Sequence, residues 1–209
     1  VSAAAPAYPT KPVRLIVPFT PAGSADTIGR VLADQLSHQW SQRVIVDNRA
    51  GGAGIIGTEI GAHAEPDGHT LLLSYVSLLC VNPWLYPKLQ YDPIKDLSPV
   101  TQLTTQAYVL VVHPSVQAKT VKELITLAQS KPGQLHYASP GTGTAPHLAG
   151  VLFDSLAKTQ MTHVPYKGGA PAMVELIGGQ TQLYFASGPN SLPHVKAGRL
   201  RMLAITSNR

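Results

Sequence analysis

An α/β fold with largely parallel sheets is what this sequence predicts, on three observations. Short β-branched runs alternate with helical patterns along the chain. One run, Thr70 to Ser74, is near-continuously apolar, as in strands covered on both faces. And 44% hydrophobic against 13% charged residues in 209 is the balance of a globular chain able to bury a core.

Val13 to Val17 reads as the first strand. Residues 25–38 then place Ile28, Val31, Leu32 and Leu36 on one helical face. Arg43 to Val46 is a strand, residues 54–63 suit a short helix, and Thr70 to Ser74 is the third strand. Residues 82–99 carry Pro83, Pro87, Pro93 and Pro99 and read as an irregular crossing between two lobes. Tyr108 to Val112 resumes as a strand. Thr120 with Glu123 three residues on forms a capping box for a helix that ends near Lys131-Pro132-Gly133. Strand Leu135 to Ala138, a helix over 145–157 with Leu148, Leu152 and Leu156 aligned, and strand His163 to Pro165 follow. A helix over about 170–177 stops at Gly178-Gly179; strand Gln182 to Ala186, a short helix near 191–197 and strand Arg201 to Thr206 complete the order. The expected lobes are residues 1–103 and 104–209.

Several function classes recede. No apolar run approaches the roughly 20 residues a membrane helix needs. The net charge is +5, but Lys11, Arg14, Arg30, Arg43 and Arg49 are scattered singly with no aromatic interleaving, which argues against nucleic acid and suits steering of an acidic solute. One cysteine, Cys80, allows no disulfide framework, and its apolar neighbours predict a small buried hydrophobe. The histidines show no metal-ligand grouping, so no metal and no cofactor is expected. Val1-Ser2-Ala3-Ala4-Ala5-Pro6-Ala7 resembles what remains around an export-signal cleavage site, which predicts a periplasmic location.

Two loops stand out. Pro18-Phe19-Thr20-Pro21-Ala22-Gly23-Ser24-Ala25-Asp26 follows a strand and opens a helix. Ser24 is its expected N-cap, and the helix N-terminus is an anion site. Asp26, in the first turn, has two open roles, helix capping or ligand contact. The second loop, Ala138-Ser139-Pro140-Gly141-Thr142-Gly143-Thr144-Ala145, also joins strand to helix and carries no charge. Its hydroxyls and the N–H groups of Gly141 and Gly143 are the expected donors. Each loop alone reads as a turn and a cap; two of one design, at strand carboxyl ends, favour halves of one site.

An enzyme is the alternative. Gly52-Ala53-Gly54-Ile55-Ile56-Gly57 matches a dinucleotide-loop pattern, but five residues separate it from its strand and no acidic residue lies where the ribose would need one. An acyl-transfer reading pairs His147 with Ser139, yet Ser139 is not in a nucleophile elbow.

The segments Tyr8 to Phe19, Val46 to Gly54, Pro66 to Leu71, Asn82 to Tyr86 and His163 to Gly168, with Ser139 to Leu148, resemble the Bug-type (TctC-like) substrate-binding proteins of tripartite tricarboxylate transporters. The resemblance implies a two-lobed type II periplasmic binding protein fold, with the C-terminal part that returns to lobe one not included here. It implies a monomer, not an enzyme, that captures a small carboxylate (a di- or tricarboxylate, an amino acid or an aromatic acid) between its lobes and delivers it to the transporter's membrane components. Carried over by position, the ligand-binding residues are Phe19, Ala22, Gly23, Ser24 and Asp26 in loop one, and Ser139, Gly141, Thr142 and Gly143 in loop two. Ser74 and Ser77 are candidates for the distal end of the ligand. The family usually has Gly-Gly where this chain has Ala22-Gly23, so that turn is expected to differ. Phe185 lacks the Asp or Asn that usually follows it.

Overall fold

The computed structural model describes residues 8–207; the Val1–Ala7 segment read above as an export-signal remnant lies outside them. The chain divides into two compact units, one ending at Ser98 and one beginning at Pro99.

The first unit is built on a parallel sheet of β1 (Val13–Val17), β2 (Val44–Asn48) and β3 (Thr70–Leu72), in the order β2-β1-β3. Leu15 lies opposite Val46 on one side and Leu71 on the other. Helix α1 (Ser24–Trp40) covers it through a line of small residues, Ala25, Gly29 and Ala33. A Cβ on Gly29 would stand 2.8 Å from Val17 Cγ2, so the missing side chain is what lets α1 lie this close to β1. This displaces the sequence expectation: Val31, assigned to the core face, is 62% exposed. Large apolar residues gave the periodicity, but small ones make the closest contact.

After β2 a short 3-10 turn (Gly52–Gly54) leads into α2 (Ile55–Ala62). Beyond β3, a turn of π-helix (Ser77–Val81) runs into α3 (Asn82–Leu85), which takes the first four residues of the stretch expected to be irregular, while residues 86–99 form no helix or strand; Pro83 sits in the first turn of α3, where its missing N–H costs nothing. Tyr91 pins this segment by donating its hydroxyl to the Leu78 carbonyl at 2.6 Å. Cys80 is exposed, not buried, because Ser77 and Leu78 take the inward positions of that turn. Thr70, Leu71 and Leu72 are only half-buried, so β3 is not covered on both faces; among the described residues β1 alone pairs with it.

The second unit is a five-stranded sheet in the order β6-β5-β7-β4-β8. Its strands are β4 (Tyr108–Val112), β5 (His136–Ser139), β6 (Thr162–Pro165), β7 (Leu183–Ser187) and β8 (Arg201–Ile205). Its helices are α4 (Val121–Ser130), α5 (Ala145–Ala157), α6 (Gly169–Ile177) and α7 (Gly188–Lys196). β5, β6 and β7 are parallel, but β4 runs antiparallel to both β7 and β8, so this sheet is mixed. Both faces are packed. Leu110, Val112, Leu183 and Phe185 belong to one core; Val109, Val111, Tyr184 and Ala186 belong to the other. The period-two alternation of β4 and β7 feeds both layers, which is why those strands read as continuously apolar.

The Thr120 cap forms: its Oγ1 accepts the N–H of Glu123 at 3.2 Å. Glu123 completes the box on Lys119, accepting its N–H at 2.7 Å. On α5, by contrast, the aligned Leu148, Leu152 and Leu156 are exposed, Leu156 by 76%, while Gly150 is buried against Tyr137.

Candidate ligand-binding loops

Loop one begins where β1 ends. Pro18 and Phe19 are buried; the Phe19 ring meets Tyr75 edge-on at 5.4 Å, and its carbonyl accepts from Asn48 Nδ2 at 3.1 Å. The chain then turns through Ala22, whose φ of +63° is the left-handed conformation that glycine adopts without strain. Asp26 holds that turn. Its Oδ2 accepts the Ala22 N–H at 3.0 Å and Arg30 Nε at 2.9 Å, with the carboxylate side chain 6% exposed. Burial works to raise the Asp26 pKa, but the bonds from Arg30, Ala22 and Asn48 outweigh it and hold the carboxyl below its ordinary value. Asp26 thus closes the turn ahead of α1 and does not cap the helix end.

Gly23, not Ser24, is the N-cap of α1, because Gly23 is extended (φ −84°, ψ 172°) and Ser24 already lies in the helix. No side chain caps this end, so the first-turn amides have no capping acceptor. Three buried polar atoms nearby have no hydrogen-bond partner: Thr20 Oγ1, Asp26 Oδ1 and Ser74 Oγ. Thr20 and Ser74 follow the neighbouring parallel strands β1 and β3. Ser77 is buried at the start of the π-turn. Phe19, Ala22, Gly23, Ser24 and Asp26 thus share one turn, and the Phe19–Tyr75 contact ties it to the segment bearing Ser74.

Loop two joins β5 to α5. Ser139 is 0% exposed, and its Oγ lies 2.6 Å from His163 Nε2 and 3.1 Å from both the N–H and the carbonyl oxygen of Gly141. Thr144 Oγ1 also donates to the Gly141 carbonyl, at 2.6 Å. Gly143 N–H donates to His147 Nδ1 at 3.1 Å. The N–H groups of Gly141 and Gly143, expected as ligand donors, are therefore engaged inside the loop. Gly141 and Gly143 are buried, and Thr142 is exposed at the tip. Thr144 is the N-cap residue of α5 without giving a side-chain cap, so this helix too presents uncapped first-turn amides.

Under the loop lies a stack of rings. His163 meets Tyr137 at 4.9 Å and His147 at 4.1 Å, and those two rings lie 6.4 Å from each other, so the three form a triangle of mutual contacts. Burial, then the neighbouring His147, pulls the His163 pKa down to about 4; burial lowers that of His147 as well. Burial, with the Asp154 carboxylate nearby, pushes the Tyr137 hydroxyl up to about 12. Both imidazoles are thus harder to protonate than a free histidine, and the Tyr137 hydroxyl harder to ionise than a free tyrosine.

Chemically, each loop delivers an uncapped helix N-terminus at the carboxyl end of a parallel strand, an arrangement that receives an anion through amides and hydroxyls. Ser139 meets His163, not the His147 that the acyl-transfer reading pairs it with, and it is sealed from solvent. The Gly52–Gly57 pattern has a packing explanation. A Cβ on Gly57 would stand 2.7 Å from Arg49 O and Pro18 Cα, and one on Gly54 2.8 Å from Leu78 Cδ2, so these glycines admit backbone and core atoms.

Sequence reasoning passed over Thr20 and His163. Thr20 lay within the quoted loop, but nothing local marks a hydroxyl that will be buried unpaired. His163 was visible only as part of a strand; its link to Ser139 depends on the β5–β6 register, in which Tyr137 lies opposite His163.

Residues 28–209 match the model of the tripartite tricarboxylate transporter family receptor, TctC. Protein BugT of Bordetella pertussis is 39% identical over 202 residues, covering 96% of this chain and 62% of BugT. A solved structure described as a periplasmic transporter is 43% identical, with a TM-score of 0.93 over 97% of this chain and 68% of its own. An R. palustris protein solved with adipate is 34% identical, with a TM-score of 0.94 over 97% of this chain and 68% of its own. The chain spans about three-fifths of the length of the curated relatives it matches.

Proposed function

The chain belongs to the tripartite tricarboxylate transporter receptor family, and from that premise we propose that it captures a small carboxylate and does not transform it. On this reading the protein is periplasmic and monomeric, and hands its ligand to the membrane components of a tripartite transporter. Loop one (Phe19, Ala22, Gly23, Ser24, Asp26) and loop two (Ser139, Gly141, Thr142, Gly143) are the proposed ligand-binding loops, Ser139, Gly141 and Gly143 serving to shape loop two from within, with Ser74 and Ser77 as further candidates for the distal end of the ligand.

The observation that carries the proposal is the repetition of one device in two units. In each, a parallel strand ends in a glycine- and hydroxyl-containing loop that opens a helix with no side-chain cap. Neither loop offers a lysine or arginine to the ligand, so the carboxylate is held by amide dipoles, hydroxyls and bridging water. Thr20 Oγ1 and Ser74 Oγ, buried and unpaired, are further groups for which a bound molecule or water supplies a partner. Adipate in a neighbour at 34% identity supports a dicarboxylate as the first compound to try.

The test is thermal unfolding and calorimetric titration against adipate, C4 dicarboxylates, citrate, acidic amino acids and aromatic acids. A ligand at about 100-fold over its Kd adds about 2.7 kcal/mol of stability. A folded protein that responds to none of the panel would overturn the proposal.

A further inference from the structure

Loop two is held at two points, and an imidazole lies behind each. His147 Nδ1 accepts the N–H of Gly143 at 3.1 Å, which leaves the His147 proton on Nε2. His163 reaches the loop through Ser139, whose Oγ is 2.6 Å from its Nε2. That one hydroxyl also contacts both backbone polar groups of Gly141. Gly141, at φ +141°, lies two residues beyond β5 and takes a backbone conformation that favours glycine, so its orientation bears on the rest of the loop.

We propose that His163 is the positioning residue of loop two: by fixing the Ser139 hydroxyl it fixes Gly141, and so sets the loop in its binding conformation before a carboxylate arrives. The inference rests on the carboxylate-binding function proposed above.

The ring cannot easily turn away from this task. Tyr137 stacks on it at 4.9 Å, His147 packs against it at 4.1 Å, and those two rings lie 6.4 Å apart, so His163 is held by two neighbours that also brace each other. Tyr137 is itself seated by Gly150, where a Cβ would stand 2.3 Å from its ring. A connected series runs from Gly150 on α5 through Tyr137 on β5 and His163 on β6 to Ser139 and Gly141. Preorganisation of this kind spares the ligand the cost of ordering the loop. It also explains why the buried glycine amides serve the loop, leaving the first turn of α5 for the ligand.

The experiment compares His163→Phe, which keeps a ring in the stack but has no Nε2, with His163→Gln, which restores a polar nitrogen at similar reach. Hydrogen exchange of the Gly141 and Gly143 amides is read on the 209-residue chain, without ligand and then with adipate. We expect Gly141 to exchange roughly tenfold faster in His163→Phe, with the β7 amides unchanged and most protection regained in His163→Gln. Adipate affinity should follow the same order. Adding Ser139→Ala to His163→Phe should loosen Gly141 by less than Ser139→Ala does in the wild type, since His163 acts on Gly141 through that same hydroxyl. If His163→Phe does not fold, Ser139→Ala alone should show the same loss at Gly141. Wild-type exchange at Gly141 in His163→Phe or in Ser139→Ala, or Gln behaving like Phe, would overturn the assignment. Failure of the wild type to bind any carboxylate would remove the binding reading, while ligand-free exchange would still decide the role of His163.

Discussion

The Asp26 carboxylate accepts the N–H of Ala22 at 3.0 Å, four residues back along the chain, and the same oxygen takes Arg30 Nε from the next turn of α1 at 2.9 Å. The acid that begins the helix thus also closes the loop before it. Its charge is answered within the protein, so it does not oppose an anion at the helix end as a free carboxylate would.

Removing this carboxylate should therefore cost stability as well as affinity. Asp26→Ala leaves the Ala22 amide without its acceptor and Arg30 without its partner, a loss of about 2–3 kcal/mol for hydrogen bonds to a buried charged group. Asp26→Asn keeps an acceptor for Ala22 and should lose about half as much. Urea unfolding measures both; an Asp26→Ala midpoint equal to wild type would show that the contact is incidental.

Ala22 predicts the opposite sign. At φ +63° an alanine carries left-handed strain that glycine does not. Ala22→Gly relieves about 1–2 kcal/mol of strain and gives back part of it in unfolded-chain entropy, for a net gain of about 0.5 kcal/mol. Ala22→Val, with a branched Cβ, should destabilise by more than that. A destabilised Ala22→Gly in the same urea assay would mean that the alanine methyl contributes packing the strain argument omits.

Gly57 separates the packing reading of the glycine-rich segment from a dinucleotide reading. The nearest atoms to an added Cβ are backbone, Arg49 O and Pro18 Cα at 2.7 Å, which cannot swing aside. Gly57→Ala should cost roughly 1–3 kcal/mol, as overpacking does. Wild-type protein should show no saturable binding of NAD in a fluorescence titration. A neutral Gly57→Ala together with NAD binding would reverse both statements.

Much of this architecture is legible in the residues. The order of strands and helices follows from alternating periodicities, and the bounds 145–157 of α5 come straight from an apolar repeat ended by polar residues. What the repeat could not convey is which face is core: Leu148, Leu152 and Leu156 are aligned yet exposed, because Gly150 makes the closest approach to the sheet. Small residues carry no hydrophobic signal, so Ala25, Gly29 and Ala33 on α1 were equally silent. The antiparallel course of β4 is set by pairing across the sheet, which local sequence does not encode. At the loops, residue types marked hydroxyls and glycines correctly as a group, but Ser139 and His163 are 24 residues apart and meet only through strand register.

The ring stack makes stability depend on acidity with a definite sign. His163, at about 4, and His147 both titrate below the ordinary histidine value of 6.5 in the folded protein. The unfolded chain therefore binds more protons than the folded one in this window, and stability must fall as pH drops from 6.5 toward 4. The groups facing the pair do not reverse this: Tyr137 is neutral there, Ser139 and the Gly143 amide are uncharged, and protonated His147 could no longer accept the Gly143 N–H. His194, also lowered by burial and then by Arg199, adds to the same slope. Asp26 acts in a separate range, since its depressed pKa gives stability that is present above 3.8 and lost as pH falls through its folded value. The expected loss between pH 6.5 and 4 is on the order of 1–3 kcal/mol. Urea midpoints across that interval should decline in the wild type and flatten in His163→Gln, which has nothing to protonate there. Equal slopes in the two proteins would place the acid sensitivity elsewhere than in the stack beneath loop two.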